Sequence, residues 1–427
     1  MTNFNRILFW GLMLAVCGVV GLCVCRMSAE TNDGIEYKNV AHNLLENNFL
    51  YAGNLNEDVD FRLFSKRTPG YPLFLIFQWQ QTWLIGLVSG IMWLFSYFLG
   101  LSALQQLTSR RISFVTYTLL FLLHIPLLIH VSFAMADLLL TCLVSLAVLI
   151  GFQRKIEPGS KLLLLVFLWG LGVFTKPVLL PSLILSPLLL LYFRRKHKCW
   201  RWALLAPLCI WVIISSINYQ NTEQFEYSSI STINLGQYNT KLLISNVYGF
   251  DSAQRFVAGP AFAVPRSKAS YARYKRSVRH LSVETCLKHL KSYCKIHFLG
   301  TIKMMLDPGR FELFTISGES NNQISLTELI YAQNWKVLIK EFRSKPLLLL
   351  VMIGLLVVSL IKAFLFLCSV KSWYKNPLMI LTLFYFVGIA GPVGAARFFL
   401  PASVIYLVFC SLGWAKLLDF FQKSSKS

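Results

Sequence analysis

Acidic residues are scarce in this sequence. Only 19 of its 427 residues are Asp or Glu, against 41 Lys or Arg, and charged side chains make up only 14% of the whole. None of the ten cysteines falls in a Cys-x-x-Cys pair, which excludes the common zinc modules. Cys286 and Cys294 share a long polar segment. On one helix they would stand roughly 12 Å apart, too far for a disulfide. The cysteines therefore read as small hydrophobes. His280, His289 and His297 lie eight or nine residues apart, so no strong metal site and no cofactor is expected, and a divalent-metal requirement stays open. Strict apolar–polar alternation is missing, which excludes a membrane β-barrel. Nucleic-acid motifs are missing too, so the formal net charge of +22 does not point to that partner.

What is abundant is apolar sequence. Hydrophobic residues reach 56% and mean hydropathy is +0.57. Runs near 20 residues recur along the chain. In lipid every backbone group must be paired internally, so each run is a helix. The expected fold is an all-α polytopic membrane protein of about ten transmembrane helices. The first run, 7–25, is longer than a signal-peptide core and lacks a small-x-small cleavage site, so it reads as an uncleaved span. The third span is expected as one helix over roughly 112–131. Short basic loops at Arg6, Arg110, Arg111, Arg154, Lys155, 194–201, Lys371 and Lys375 are cytoplasmic by the positive-inside rule, as are both termini. Their charge also suits anionic membrane lipids. Two hydrophilic pieces, 26–72 and 218–345, then fall together on the outer face. The chain divides into three parts: a membrane module 1–217 with an amphipathic first outer loop, an extracytoplasmic segment 218–345, and C-terminal helices 346–427 with a short cytoplasmic tail. The spans show no two-half symmetry, as inverted-repeat transporters often do.

The first outer loop concentrates the scarce acid. It holds Glu30, Asp33, Glu36, Glu46, Glu57, Asp58 and Asp60, and it ends on Lys66, Arg67 and Pro69-Gly70-Tyr71-Pro72. Tyr37, Val40, Ala41, Leu44 and Leu45 follow the spacing of one apolar helix face, predicting an interfacial helix over 33–45. Asp33 reads two ways. It is the N-cap of this helix, with Glu36 completing a capping box, or it is a general base.

Short segments in order along the chain resemble the GT-C glycosyltransferases that use polyprenyl-phosphate sugars, in the branch of protein O-mannosyltransferases and lipid A aminoarabinose transferases. Asp33, Tyr37, Ala41 and Leu44 fit an acidic pattern after the first span. Arg67, Pro69, Gly70, Tyr71, Pro72 and Leu73 fit the basic, proline-containing end of the first loop. Phe174-Thr175-Lys176-Pro177 is similar to a later L-T-K-P-like segment. Ser228, Ser229, Asn234 and Leu235 fit a segment after the middle spans, and Arg397 with Pro401 a final one. One departure is Asp137 after Ala136, where relatives usually carry Glu; its carboxylate is one methylene shorter.

The resemblance implies a GT-C-like fold in a bacterial inner membrane with an extracytoplasmic active site. It implies inverting transfer of a sugar from a polyprenyl-phosphate donor to a hydroxyl of a lipid, glycan or protein acceptor. Asp33 becomes the base. Lys66, Arg67, Lys176 and Arg397 become the donor phosphate ligands, with Asp137, Tyr37, Ser228, Ser229 and Asn234 in support. Each residue also has a plainer reading. The cations can snorkel to head groups, Asp137 can cap a helix, and the Ser/Asn segment can be a turn. Glu36 reads as a capping or solvent residue. The basic run 266–279, with Tyr271 and Tyr274, reads as a solvated or membrane-contacting face. Two other functions stay open: a lipid-linked glycan flippase or other transporter, which would show charges within its spans, and a non-catalytic scaffold.

Overall fold

The computed structural model describes residues 18, 21, 31–77, 81–153, 155–192, 200–316, 326–343 and 346–424. The expected first span, Arg6, Glu30, Arg154 and most of the basic loop 194–201 lie outside the described residues. Every regular element among the described residues is helical. Among the described residues five helices are long and apolar enough to cross a membrane: Trp83–Leu107, Pro158–Thr175, Trp202–Thr222, Leu349–Cys368 and Leu400–Gln422. The chain is thus a helical, multi-pass membrane protein. Three further apolar helices, Asp137–Phe152, Pro177–Leu191 and Pro377–Ile389, are shorter, so the expected count of ten spans is not established.

The third expected span is not one straight helix. Arg111–Leu122 and Ile125–Ser132 meet at a 57° bend. Pro126 explains the break, because its ring and missing N–H forbid a continuous helical ladder through the preceding turn. The break carries the chain directly into 130–137, the stretch that holds His130 and Asp137.

The centre of the bundle is the last long helix, Leu400–Ser424. Val404 through Cys410 are each no more than 2% exposed. A helix that is apolar all round belongs inside. It packs against Pro346–Cys368, Asp137–Phe152, Arg111–Leu122 and Thr82–Leu107. By contrast, Leu350, Ile353, Leu360, Phe364 and Leu367 point outward from Pro346–Cys368, an apolar face that lipid solvates. A Cβ at Gly413 would collide with the backbone carbonyl of Leu365. Backbone thus touches backbone here, the close approach that small residues permit in membrane bundles.

The first-loop helix spans Asn32–Asn47. Its cap is Thr31, whose hydroxyl accepts from the Gly34 N–H at 2.9 Å, so the capping reading of Asp33 is corrected. Tyr37, Val40 and Ala41 are buried as expected, but Leu45 is exposed and Asn43 is buried instead. Asn43 Nδ2 donates to the carbonyls of Tyr51 and Gly53. The returning chain needs those bonds, and that need overrides the apolar stripe. In the larger hydrophilic segment, Cys286 and Cys294 do not share a helix. Lys268–Lys288 ends at His289 and Leu290–Leu306 begins beyond it.

Gly413→Ala should overpack the central helix at a cost of about 1–3 kcal/mol. Gly354→Ala, with open space around it, should cost nothing. Melting temperatures of both in detergent check this; equal values would refute the backbone contact.

Candidate functional site

Asp33 stands in the first turn of its helix and faces two arginines from distant parts of the chain. Arg67 Nη2 donates to Oδ1 at 2.6 Å and Arg397 Nη1 donates to Oδ2 at 2.8 Å. Arg67 Nε also donates to Glu36 Oε2 at 2.7 Å, and Lys66 Nζ donates to Glu36 Oε1 at 2.5 Å. Glu36 is therefore a partner of both loop cations, not a capping or solvent residue. The Arg67 guanidinium lies 4.9 Å from the Tyr37 ring centroid, and Tyr37 meets Tyr71 edge-on at 5.0 Å. Tyr37 thus forms an aromatic floor under Arg67. Nearby, Lys176 Nζ donates to Asp137 Oδ1. The shorter carboxylate reaches its partner, and Asp137 is only 1% exposed.

Four cations thus face three carboxylates, leaving one net positive charge. Arg67 is 8% exposed, whereas Asp33 and Arg397 are each 25% exposed. The cluster opens on the side of Asp33 and Arg397. Burial by itself would raise the Asp33 pKa; Arg397, Arg67 and Lys176 outweigh it and hold the carboxyl well below the usual range. Its stabilising contribution is therefore present above the ordinary value of 3.8 and is lost as pH falls towards the folded value.

Several backbone clamps place these side chains. Thr68 Oγ1 donates to the Thr175 carbonyl at 2.8 Å, which lays the basic loop end beside Lys176. Ser228 Oγ donates to the Lys66 carbonyl and Ser229 Oγ to the Arg62 carbonyl. Both hydroxyls therefore hold the loop backbone instead of projecting into the cluster. Asn234 opens a π-helical turn, Asn234–Thr240. Glu226, unrecognised in the sequence, accepts from Ser65 Oγ at 2.8 Å and from the Tyr271 hydroxyl, and pairs with Lys275 at 2.8 Å. Tyr271, Tyr274 and Lys275 are buried, so the basic run 266–279 is solvated on one face only. On the far side Asp307 Oδ2 accepts from the Ala396 N–H, and Lys303 Nζ donates to the Val393 carbonyl. Gly394 adopts φ +54, and a Cβ there would strike the Gly300 carbonyl. Glycine is required at this turn, which delivers Arg397.

Sequence reasoning also missed Glu312 and His130. The two side chains are 3% and 1% exposed, with His130 Nε2 4.0 Å from Glu312 Oε1. The Asp307-Pro308-Gly309 turn just upstream was the one available signal. Among the described residues no group of three or more His, Cys, Asp or Glu side chains is placed to hold a metal ion.

No family model matches the chain, and no curated protein does. Two solved structures are similar to it, both of ArnT from Cupriavidus metallidurans. The apo crystal structure has 14% identity and a TM-score of 0.40, covering 96% of this chain and 78% of that one. The undecaprenyl-phosphate-bound structure has 13% identity and the same TM-score, covering 97% and 79%. A likeness that loose carries no argument about function.

Burial first, then the Asp307 charge, pushes the Glu312 carboxyl up to about 7 from 4.5. The unfolded chain gives up this proton near the lower value, the folded chain near the higher. Folded stability should therefore decline as pH rises between them. Glu312→Gln should gain on the wild type in melting temperature across that window and run parallel to it outside. Parallel curves throughout would mean that Glu312 ionises normally.

Proposed function

We propose that the chain is an integral-membrane glycosyltransferase that moves a sugar from a polyprenyl-phosphate donor to an acceptor hydroxyl. The observation that supports this most directly is the double guanidinium grip on Asp33, open to one side. In this reading the site faces the outside of the membrane and both termini lie in the cytoplasm.

Arg67 and Arg397 offer bidentate geometry to a phosphate, and Lys66 and Lys176 add point charges. An incoming donor phosphodiester competes with Asp33 for the guanidiniums. As they turn to the phosphate, Asp33 loses its counter-charges and becomes a stronger base. It takes the proton of the acceptor hydroxyl while that oxygen bonds to the anomeric carbon from the face opposite the phosphate. The bond from that carbon to the phosphate oxygen breaks with inversion, and polyprenyl phosphate leaves with one more negative charge. Arg67, Arg397, Lys66 and Lys176 are placed where that charge develops.

Asp33→Asn separates binding from chemistry. It removes both the base and the competitor, so transfer should fall at least a hundredfold while polyprenyl phosphate binds at least as tightly as to the wild type. The assay pairs label transfer from a panel of polyprenyl-phosphate sugars with a binding titration in detergent. Retained transfer would sink the assignment of the base.

One observation favours the transport reading. Lys362, inside the span Leu349–Cys368, is 3% exposed and lies 3.1 Å from His124 Nδ1 at the break of the bent helix. An ionisable group at such depth is often functional. Under the transferase reading Lys362→Met should keep transfer within about threefold, since replacing a buried charge by an apolar side chain is often neutral. Flux of a polyprenyl-phosphate sugar across vesicles, abolished by that variant, would favour transport instead.

A further inference from the structure

Two buried polar atoms beside the cluster face each other with no hydrogen-bond partner among the described residues. They are His130 Nε2 and Glu312 Oε1, 4.0 Å apart. His130 Nδ1 lies 2.7 Å from the Pro126 carbonyl oxygen. That oxygen only accepts, so Nδ1 carries the ring proton and Nε2 of the neutral ring is an acceptor. Glu312 is pushed up to about 7, first by burial, so near neutrality a large fraction of it is the acid and can donate. The gap is too long for a direct bond. One oxygen about 2.8 Å from each atom would span it once the side chains part to admit it, since both atoms are sealed from solvent. That oxygen must accept from Glu312 and donate to His130, which is the hydrogen-bonding capacity of a single hydroxyl.

The pair borders the charged cluster on two sides. His130 leads through a short turn to Asp137, which begins the next helix. Glu312 follows Asp307, whose carboxylate is bonded to the N–H of Ala396, the neighbour of Arg397. The charges of Asp137 and Arg397 reach both members of the pair. A hydroxyl held there lies close to the cations that receive the donor phosphate. The sugar joined directly to that phosphate brings several hydroxyls to this place, whereas the acceptor's reacting hydroxyl is taken by Asp33.

We infer that Glu312 and His130 form a subsite that holds one hydroxyl of the donor's sugar and so contributes to sugar recognition. The inference rests on the glycosyltransferase reading. Its test compares two ligands on the full-length protein in detergent: bare polyprenyl phosphate, and the tightest-binding member of a mannose, glucose and arabinose polyprenyl-phosphate series. The wild type should bind the sugar-bearing lipid roughly tenfold or more tightly than the bare one. Glu312→Ala and His130→Leu should erase that increment and leave bare-lipid affinity unchanged. Glu312→Gln, whose amide still donates, should keep it. A second measurement needs no variant. Among single-deoxy analogues of the sugar, one position should lose the increment on the wild-type protein. If folded variants keep the increment, or no deoxy position loses it, the pair encloses a structural water and the subsite is wrong. If the wild type binds no bare polyprenyl phosphate, the glycosyltransferase reading fails first and takes this inference with it. Should the Ala and Leu variants not fold, the deoxy series decides alone.

Discussion

The structure of the site depends on a single carboxylate held by two guanidiniums that are far apart in sequence. Asp33 offers one oxygen to Arg67 and the other to Arg397, so the first loop and the short turn Ala396–Phe398 before the last helix are joined through one side chain. Buried ion pairs are weak evidence for stability, because desolvation offsets much of the attraction. An apolar trio of the same volume would join these segments at least as well. What an apolar trio cannot do is exchange partners. A carboxylate paired with two cations on the open side of a cluster can be displaced by another anion, and its basicity changes when that happens. This capacity, more than the strength of the pairs, is what the arrangement provides.

Displacement works only if the surrounding backbone stays in place while the side chains turn. The clamps meet that need. The chain 62–68 is held by Ser228, Ser229 and Glu226 on one side and by Thr175 on the other. The turn before Arg397 is held by Asp307 and Lys303, and its backbone passes against Gly300 where no side chain fits. Each clamp joins a hydrophilic segment to a span or to another hydrophilic segment. The clamps thus fix the backbone, and the proposed exchange asks only a few long side chains to turn.

Much of this is legible in the sequence, and the divisions are physical. The helical class comes from apolar runs, since lipid leaves the backbone no alternative. Asp33, Arg67, Lys176, Asp137 and Arg397 all stand out as residues, and the fold brings them into one cluster. Local pattern misleads where tertiary bonds take over. Thr31 displaces Asp33 as the cap because Asp33 is already paired. Asn43 takes the buried place of an apolar residue because the returning chain requires its amide. Lys275 and Tyr271 look solvated within a basic run, yet Glu226, some 45 residues away, draws them inward. None of these partners is marked by spacing, and only the folded chain brings them together. Glu312 is hidden for the same reason, as one acid in a segment without periodicity.

Glu312 and Asp33 are best understood as a contrast. Both are carboxylates close to Arg397, and their environments push them in opposite directions. For Asp33 the cations outweigh burial and keep it ionised; for Glu312 burial prevails with Asp307 adding to it, and the acid form persists towards neutrality. Pairs of acids driven apart in this way divide labour, one accepting protons or countering charge and the other donating hydrogen bonds. The cause of the division is positional. Asp33 sits on the rim, where two guanidiniums reach it. Glu312 sits behind the bent span, opposite a histidine whose free nitrogen can only accept. A ligand bearing both a phosphate and a hydroxyl would engage the guanidiniums that hold Asp33 and the acid form of Glu312 together, and a bare phosphate would engage only the guanidiniums.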